Sequence, residues 1–341
     1  MKRRVLCAAL AVLLLAGCAN VGKPAKKKYT ATFLTLFDTV TTVVGFDESK
    51  EAFTQKAQAV HDELLVYHQL FDIYNSYEGV NNLKTLNDAA GSEPVQVDAK
   101  IIALLKDCKA YYTLTGGKVN AAMGSVLQLW HEARSDGYDD PANARLPQQE
   151  SLVEAAKHTS FDHVIIDEKA STVQITDAAL RLDVGAIAKG WATQRVAETA
   201  PKGLLISVGG NVCATGAKDE QGTAWVVGVQ DPDDPNKNVH TLNIVSGCVV
   251  TSGDYQRIYM VDGKLYHHII DPATLYPSTY FRSVTVVCED SGLADALSTA
   301  LFLLPMEEGL ILLAKSGAEA MWIHQDGSIS YSPGFEALIR T

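Results

Sequence analysis

Between Thr30 and Ser332 the apolar residues switch repeatedly from a two-residue to a 3.6-residue period, and the two kinds of segment follow no regular alternation. A parallel sheet needs a crossover, usually helical, between its strands, so this order argues for an α+β domain with antiparallel sheets and flanking helices. Thr30 to Phe46 reads as one opening strand, and a helix from Glu48 to about Leu70 follows, with Phe53, Ala57, Val60, Leu64 and Leu65 on one face. Phe71 to Gly91 reads as a polar-aromatic loop, and aromatics in such loops more often pack on a core edge than stack on a ligand. A second helix spans Asp98 to Thr115 and stops at Gly116-Gly117. Further strands are expected at Leu204–Val208, Trp225–Val229, Asn238–Ile244 and Ser283–Cys288, and helices at Gly292–Leu304 and Met306–Lys315.

The N-terminus carries a different signal. Lys2-Arg3-Arg4 precedes an apolar run from Val5 to Leu15, then Leu15-Ala16-Gly17-Cys18. A basic start followed by an apolar run of about ten residues is an export signal, too short to cross a bilayer. Small residues directly before a cysteine form a lipobox, so residues 1–17 are expected to be a lipoprotein signal peptide and Cys18 the lipidated residue. Residues 18–29, with Lys26-Lys27-Lys28, then read as a solvated tether that would lie near anionic headgroups, and residues 30–341 as the folded domain. The expected location is the bacterial cell membrane, lipid-anchored and facing outside the cytoplasm.

Loss of residues 1–17, with three basic residues and no acidic one, takes the formal net charge from −11 to −14. An acidic exterior repels phosphate backbones, which excludes nucleic acid as a partner. Cys108, Cys213, Cys248 and Cys288 form no CxxC or zinc spacing, and three of them sit in apolar strand-like runs; buried free thiols are expected.

Chemistry-bearing residues gather in two stretches. The first, Thr251 to Thr299, holds Thr251-Ser252-Gly253-Asp254, His267-His268-Ile269-Ile270-Asp271-Pro272 and Asp295-Ala296-Leu297-Ser298-Thr299. Asp295 and Thr299 are four apart in a helical pattern, so their oxygens share a face, and hard oxygen donors suit Mg²⁺. An ordinary helix start capped by Ser291 reads equally well from these residues. In the second stretch, Arg181 to Ala192, a strand is expected to end at Asp183, Gly185 to turn, and Ala186 to Thr199 to be helical. Such a corner aims free amides and a positive dipole end at what lies above it, with Lys189 adding a point charge suited to phosphate, although an ordinary β-α corner has the same pattern. Gly124 and Ser125 open another helix, where small residues permit either close approach to a ligand or tight packing.

Together Asp183-x-Gly185-Ala186-Ile187-Ala188-Lys189-Gly190, Gly209-Gly210-Asn211, Thr251-Ser252-Gly253-Asp254-Tyr255, His268-Ile269-Ile270-Asp271-Pro272 and Asp295-Ala296-x-x-Thr299 resemble, in order and spacing, the ApbE-type FAD:protein FMN transferases. Leu36-Phe37-Asp38-Thr39 and the loop from Tyr74 to Asn87 are similar as well. The resemblance implies a T-fold-related α+β enzyme that binds FAD and Mg²⁺ and joins FMN to a threonine or serine of an extracytoplasmic acceptor flavoprotein, such as a redox-pump subunit or FMN-binding domain, releasing AMP. It implies FAD contacts at Phe37, Tyr74, Gly124, Ser125, Asp183, Lys189 and Ile270, metal contacts at Ala186, Asp295 and Thr299, and His268 as the base. Two departures stand out: Phe37-Asp38-Thr39 where Met-Gly-Thr is common, and Asp271-Pro272-Ala273-Thr274-Leu275 in place of the frequent Asp-Pro-Arg-Thr-Gly.

Mg²⁺-dependent hydrolysis of FAD to FMN and AMP, or flavin binding without chemistry, are the alternatives. A Ser-His-Asp hydrolase is set aside for want of a GxSxG turn.

Overall fold

A computed structural model describes residues 25–341. The first half of the chain runs β1 (Lys27–Leu36), β2 (Thr39–Asp47), α1 (Lys50–Phe71), α2 (Leu83–Asp88), β3 (Val95–Gln96), α3 (Ala99–Leu114), α4 (Gly124–Asp139) and α5 (Gln149–Ala155). Then come β4 (Val164–Asp167), β5 (Thr172–Ile175), α6 (Ala188–Thr199), β6 (Leu204–Val208), β7 (Asn211–Ala214), β8 (Trp225–Gln230) and β9 (Asn238–Ile244). The chain closes with β10 (Gly247–Gly253), β11 (Tyr259–Val261), β12 (Lys264–Tyr266), β13 (Phe281–Cys288), α7 (Ser291–Phe302), α8 (Met306–Leu313), β14 (Glu319–His324) and β15 (Ile329–Tyr331).

Eight strands form one sheet in the order β1-β2-β6-β7-β10-β13-β14-β15, and each of these pairings is antiparallel. Because successive side chains of a strand leave opposite faces, the sheet feeds two cores. Val43, Leu204, Ile206, Val250 and Trp322 pack under α1, α3, α6 and α7. Their neighbours Val44, Leu205, Val249, Met321 and Ile323 pack against the β8–β9 hairpin. A third cluster joins α4, α5 and the β11–β12 hairpin around Trp130.

The α+β class and the antiparallel sheets are those expected, and several boundaries differ. The opening strand is a hairpin: Phe37 (φ 53) and Asp38 (φ 50) make a two-residue turn with both residues left-handed. Without an Asn-Gly pair, a β-branched run on both sides hid it. β1 begins at Lys27, and Lys27 and Lys28 pair with Asp47 and Phe46, so the domain starts inside the stretch read as tether. The Phe71–Gly91 loop contains α2, opened by a reciprocal Asn82–Thr85 capping box. No strand ends at Asp183; the backbone of Arg181–Asp183 is bonded to the Asn87 side chain and to Ala121 and Gly124 instead of to a ladder. α6 therefore starts at Ala188, not Ala186. The cap of α7 is Asp290, whose carboxylate accepts from the Leu293 amide at 2.8 Å, not Ser291. His267 and His268 lie just past β12 and not on it.

Cys213 and Cys248, expected as free thiols, form a disulfide. They are 35 residues apart but directly opposite on β7 and β10, with Cα atoms 4.2 Å apart, a pairing that only the register reveals. Cys108 and Cys288 are free. Cys18 and the proposed signal peptide lie outside the described residues.

Candidate active site

The two chemistry-bearing stretches meet because α6 and α7 pack directly against each other. Gly190 makes this possible: a Cβ there would run into the Ser291 carbonyl and the Asp295 side chain. The Gly190 amide donates to Asp295 Oδ2 at 2.8 Å, tying the start of α6 to the carboxylate on α7. Gly190→Ala is therefore expected to destabilise the protein by about 1–3 kcal/mol through overpacking, read from the urea midpoint, and to displace Asp295. Wild-type stability in that variant would contradict the account.

Asp295 is 5% exposed and accepts that single protein hydrogen bond. Burial pushes its pKa up, opposed by the Lys189 charge and the Gly190 amide. A carboxylate held dry at such cost, beside the hydroxyl of Thr299 one turn later and the backbone at Ala186, is a hard-oxygen set of the kind that suits Mg²⁺. Among the described residues no group of three or more His, Cys, Asp or Glu side chains is placed to hold a metal, so any ion here would rest on Asp295 with hydroxyl and backbone oxygens. Behind Thr299, Ser252 Oγ lies 3.5 Å from its Oγ1 and 2.8 Å from Ser298 Oγ, which donates to the Asp295 carbonyl at 2.9 Å.

A cleft of about 360 Å³ opens above this corner. Tyr74, Asp183, Ala186, Lys189, His268, Ile270, Asp295 and Thr299 all line it. Asp183 Oδ1 accepts from the Gly185 amide at 2.7 Å and closes the turn into α6, while Lys189 Nζ donates to the Gly185 carbonyl at 3.1 Å. Tyr74 is held out by an Asx turn in which Asp72 accepts from the amides of Tyr74 (2.7 Å) and Asn75 (2.9 Å). It is 52% exposed, its ring 5.0 Å from that of His131, so it faces the cleft and does not pack on a core edge as loop aromatics usually do.

The other expected residues are placed differently. Phe37 lines a smaller adjoining pocket together with Tyr74, Asp183 and Lys189. Gly124 borders a third one, and its own Cβ position is blocked by the backbone of Arg181 and Leu182, so it serves close packing there. Ser125 lines none of these: its Oγ donates to the Ala179 carbonyl at 2.6 Å. Asp254 turns to Arg282, with 3.0 Å between its Oδ2 and Nε, and does not line the cleft.

The two histidines have opposite environments. His267 Nε2 donates to the Ser278 carbonyl at 2.8 Å and its Nδ1 accepts from the Ile269 amide at 3.2 Å, so both ring nitrogens are used structurally. His268 Nδ1 faces the Gln256 carbonyl at 3.1 Å; a carbonyl only accepts, so Nδ1 carries the proton and Nε2 keeps its lone pair. Desolvation, followed by the positive charges of Arg257 and Lys189, pushes its pKa down to about 3, while the ring stays partly open to the cleft.

Sequence reasoning missed a set of basic residues along the same cleft: Lys118, Arg134 and Arg257. Lys118 pairs with Asp271 at 3.0 Å and fixes the turn after Ile270. In that turn Leu275 has φ 64, taking the left-handed conformation at the position where the commoner motif has glycine; Asp38 does the same at φ 50. Both residues thus hold a conformation that glycine adopts most readily. The available signal was a helical i, i+3 pair, His131 and Arg134, following small residues.

The ApbE family profile matches residues 37–322. A curated FAD:protein FMN transferase of Treponema pallidum is 33% identical over 311 residues, covering 86% of this chain and 84% of that protein. One of Klebsiella pneumoniae is 31% identical, covering 80% of this chain and 86% of that protein. A crystal structure of an ApbE protein from Thermotoga maritima superposes with a TM-score of 0.81 at 30% identity, over 92% of this chain and all of that one.

Proposed function

Because the chain belongs to the ApbE family and is an FAD:protein FMN transferase, we propose that it transfers FMN from FAD to a threonine or serine hydroxyl of an acceptor flavoprotein, with AMP as the leaving group. The observation that carries this reading is the cleft in which a bare His268 nitrogen shares one wall system with Asp295, Thr299 and Lys189. Mg²⁺, held by Asp295, Thr299 and the Ala186 carbonyl, would neutralise charge on the pyrophosphate and its displaced oxygen.

The chain's own residues supply the rest. Tyr74, Phe37, Asp183 and Ile270 border the space for the dinucleotide, and Lys189 adds charge at its phosphates. The acceptor oxygen forms a bond to the FMN-side phosphorus, the bridging P–O bond breaks with its electron pair leaving on AMP, and the hydroxyl proton passes to His268 Nε2. The Gln256 carbonyl keeps the ring in the tautomer that can take it. A low proton affinity in the free enzyme rises when an anionic diphosphate offsets Arg257 and Lys189. Since His268 is already neutral in the free protein, kcat/KM for FAD is expected to show no acid limb from this residue between about pH 5 and 8. A limb in that range that disappears in His268→Gln would contradict the assignment.

The lipobox at Cys18 supports a lipid-anchored protein facing outside the cytoplasm, with residues 18 to about 26 as tether. Incubation with FAD, Mg²⁺ and an FMN-binding domain tests the reaction: flavin is expected to stay on the acceptor after denaturation. Free FMN and AMP with an unlabelled acceptor would instead favour a pyrophosphatase.

A further inference from the structure

Arg134 on α4 and Arg257 in the loop between β10 and β11 both line the cleft, and neither is neutralised there. The arginine ion pairs among the described residues involve Arg195 and Arg282 only. Arg134 donates to His131 Nδ1 at 3.0 Å, which leaves most of its donors unused. Burial, then the neighbouring positive charge of Arg257, pushes its pKa down from the usual arginine value. Arg257 adopts φ 46, a strained conformation for a non-glycine residue, in the same turn that presents the Gln256 carbonyl to His268. A chain of net charge −11 thus gathers two guanidinium groups at one wall of a cleft, where their mutual repulsion is unfavourable until an anion arrives.

We propose that Arg134 and Arg257 bind the phosphate of the flavin nucleotide, the group passed to the acceptor, as a fork separate from the Lys189–Asp295 corner. The inference rests on the transfer reading above. In that reading His268 Nε2 takes the proton of the attacking oxygen, and the Gln256 carbonyl that holds its ring belongs to the residue next to Arg257 on the same cleft, which brings the non-bridging oxygens of that phosphorus within reach of Arg257. Arg134 lines the same cleft and is bonded to His131, whose ring lies 5.0 Å from that of Tyr74, a pair of rings that offers the rest of the flavin nucleotide a surface. Guanidinium forks match phosphate oxygens in pairs, which a lysine does not.

The test is equilibrium binding to the full chain in Mg²⁺, titrating FMN, riboflavin and AMP. Arg134→Met and Arg257→Met are each expected to weaken FMN binding by about tenfold or more while riboflavin, which lacks the phosphate, changes by less than about twofold. Arg134→Lys, which keeps the charge and loses the fork, is expected to lie between, and with Arg257→Met it carries the test if Arg134→Met does not fold. Equal losses for FMN and riboflavin, no loss of FMN, or a loss of AMP alone would each overturn the assignment. Failure of the transfer reading shows elsewhere, as wild-type protein that leaves the acceptor without bound flavin.

Discussion

Asp295→Ala is expected to lower flavin transfer by at least about a hundredfold, because, of the proposed metal contacts Asp295, Thr299 and Ala186, all lining the cleft, only Asp295 carries a carboxylate. The side chain is small and almost fully buried at the α6–α7 contact, and its loss frees the Gly190 amide. That cost in stability is separated from the catalytic one by a metal titration: Mg²⁺ should raise the melting temperature of the wild type and leave that of the variant unchanged. Asp295→Asn, which keeps the volume and an oxygen for Gly190, should fold normally and still fail to transfer. Full activity in either variant would refute the metal role.

His268→Ala is expected to lower kcat by about 10²–10⁴-fold with little change in FAD affinity, since proton removal from the acceptor hydroxyl is a transition-state contribution. His267→Ala serves as contrast. Its ring bridges the Ser278 carbonyl and the Ile269 amide and packs edge-on to Phe302, so the expected effect is a loss of stability with kcat of the folded fraction nearly unchanged. If the two substitutions cost the same in kcat, His268 is not the base.

The fold class was legible because hydrophobic period survives any tertiary arrangement: Val43 and Val44, or Met321 and Trp322, alternate between the two cores as their spacing requires. What local pattern lacked was register. Nothing near Cys213 points to Cys248, and nothing near Gly190 says that Asp295 will sit against it; both contacts depend on which strands and helices become neighbours. The motif residues were legible where they keep side chains pointed into one cleft, as Asp183, Lys189, His268 and Asp295 do. Gly124 and Ser125 show the limit of a motif read residue by residue: the first is small because Arg181 and Leu182 pass over it, and the second bonds to Ala179. Arg134 and Arg257 were missed for the converse reason, since an isolated arginine in a loop or helix reads as a solvated charge until its lack of a carboxylate partner is seen.

Mass spectrometry of the acceptor distinguishes a cleft that passes FMN to a protein hydroxyl from one that passes it to water. After reaction with FAD and Mg²⁺, an acceptor heavier by one FMN at a single threonine or serine is expected, with one AMP released for each flavin attached. An acceptor of unchanged mass alongside equal amounts of free FMN and AMP would contradict it.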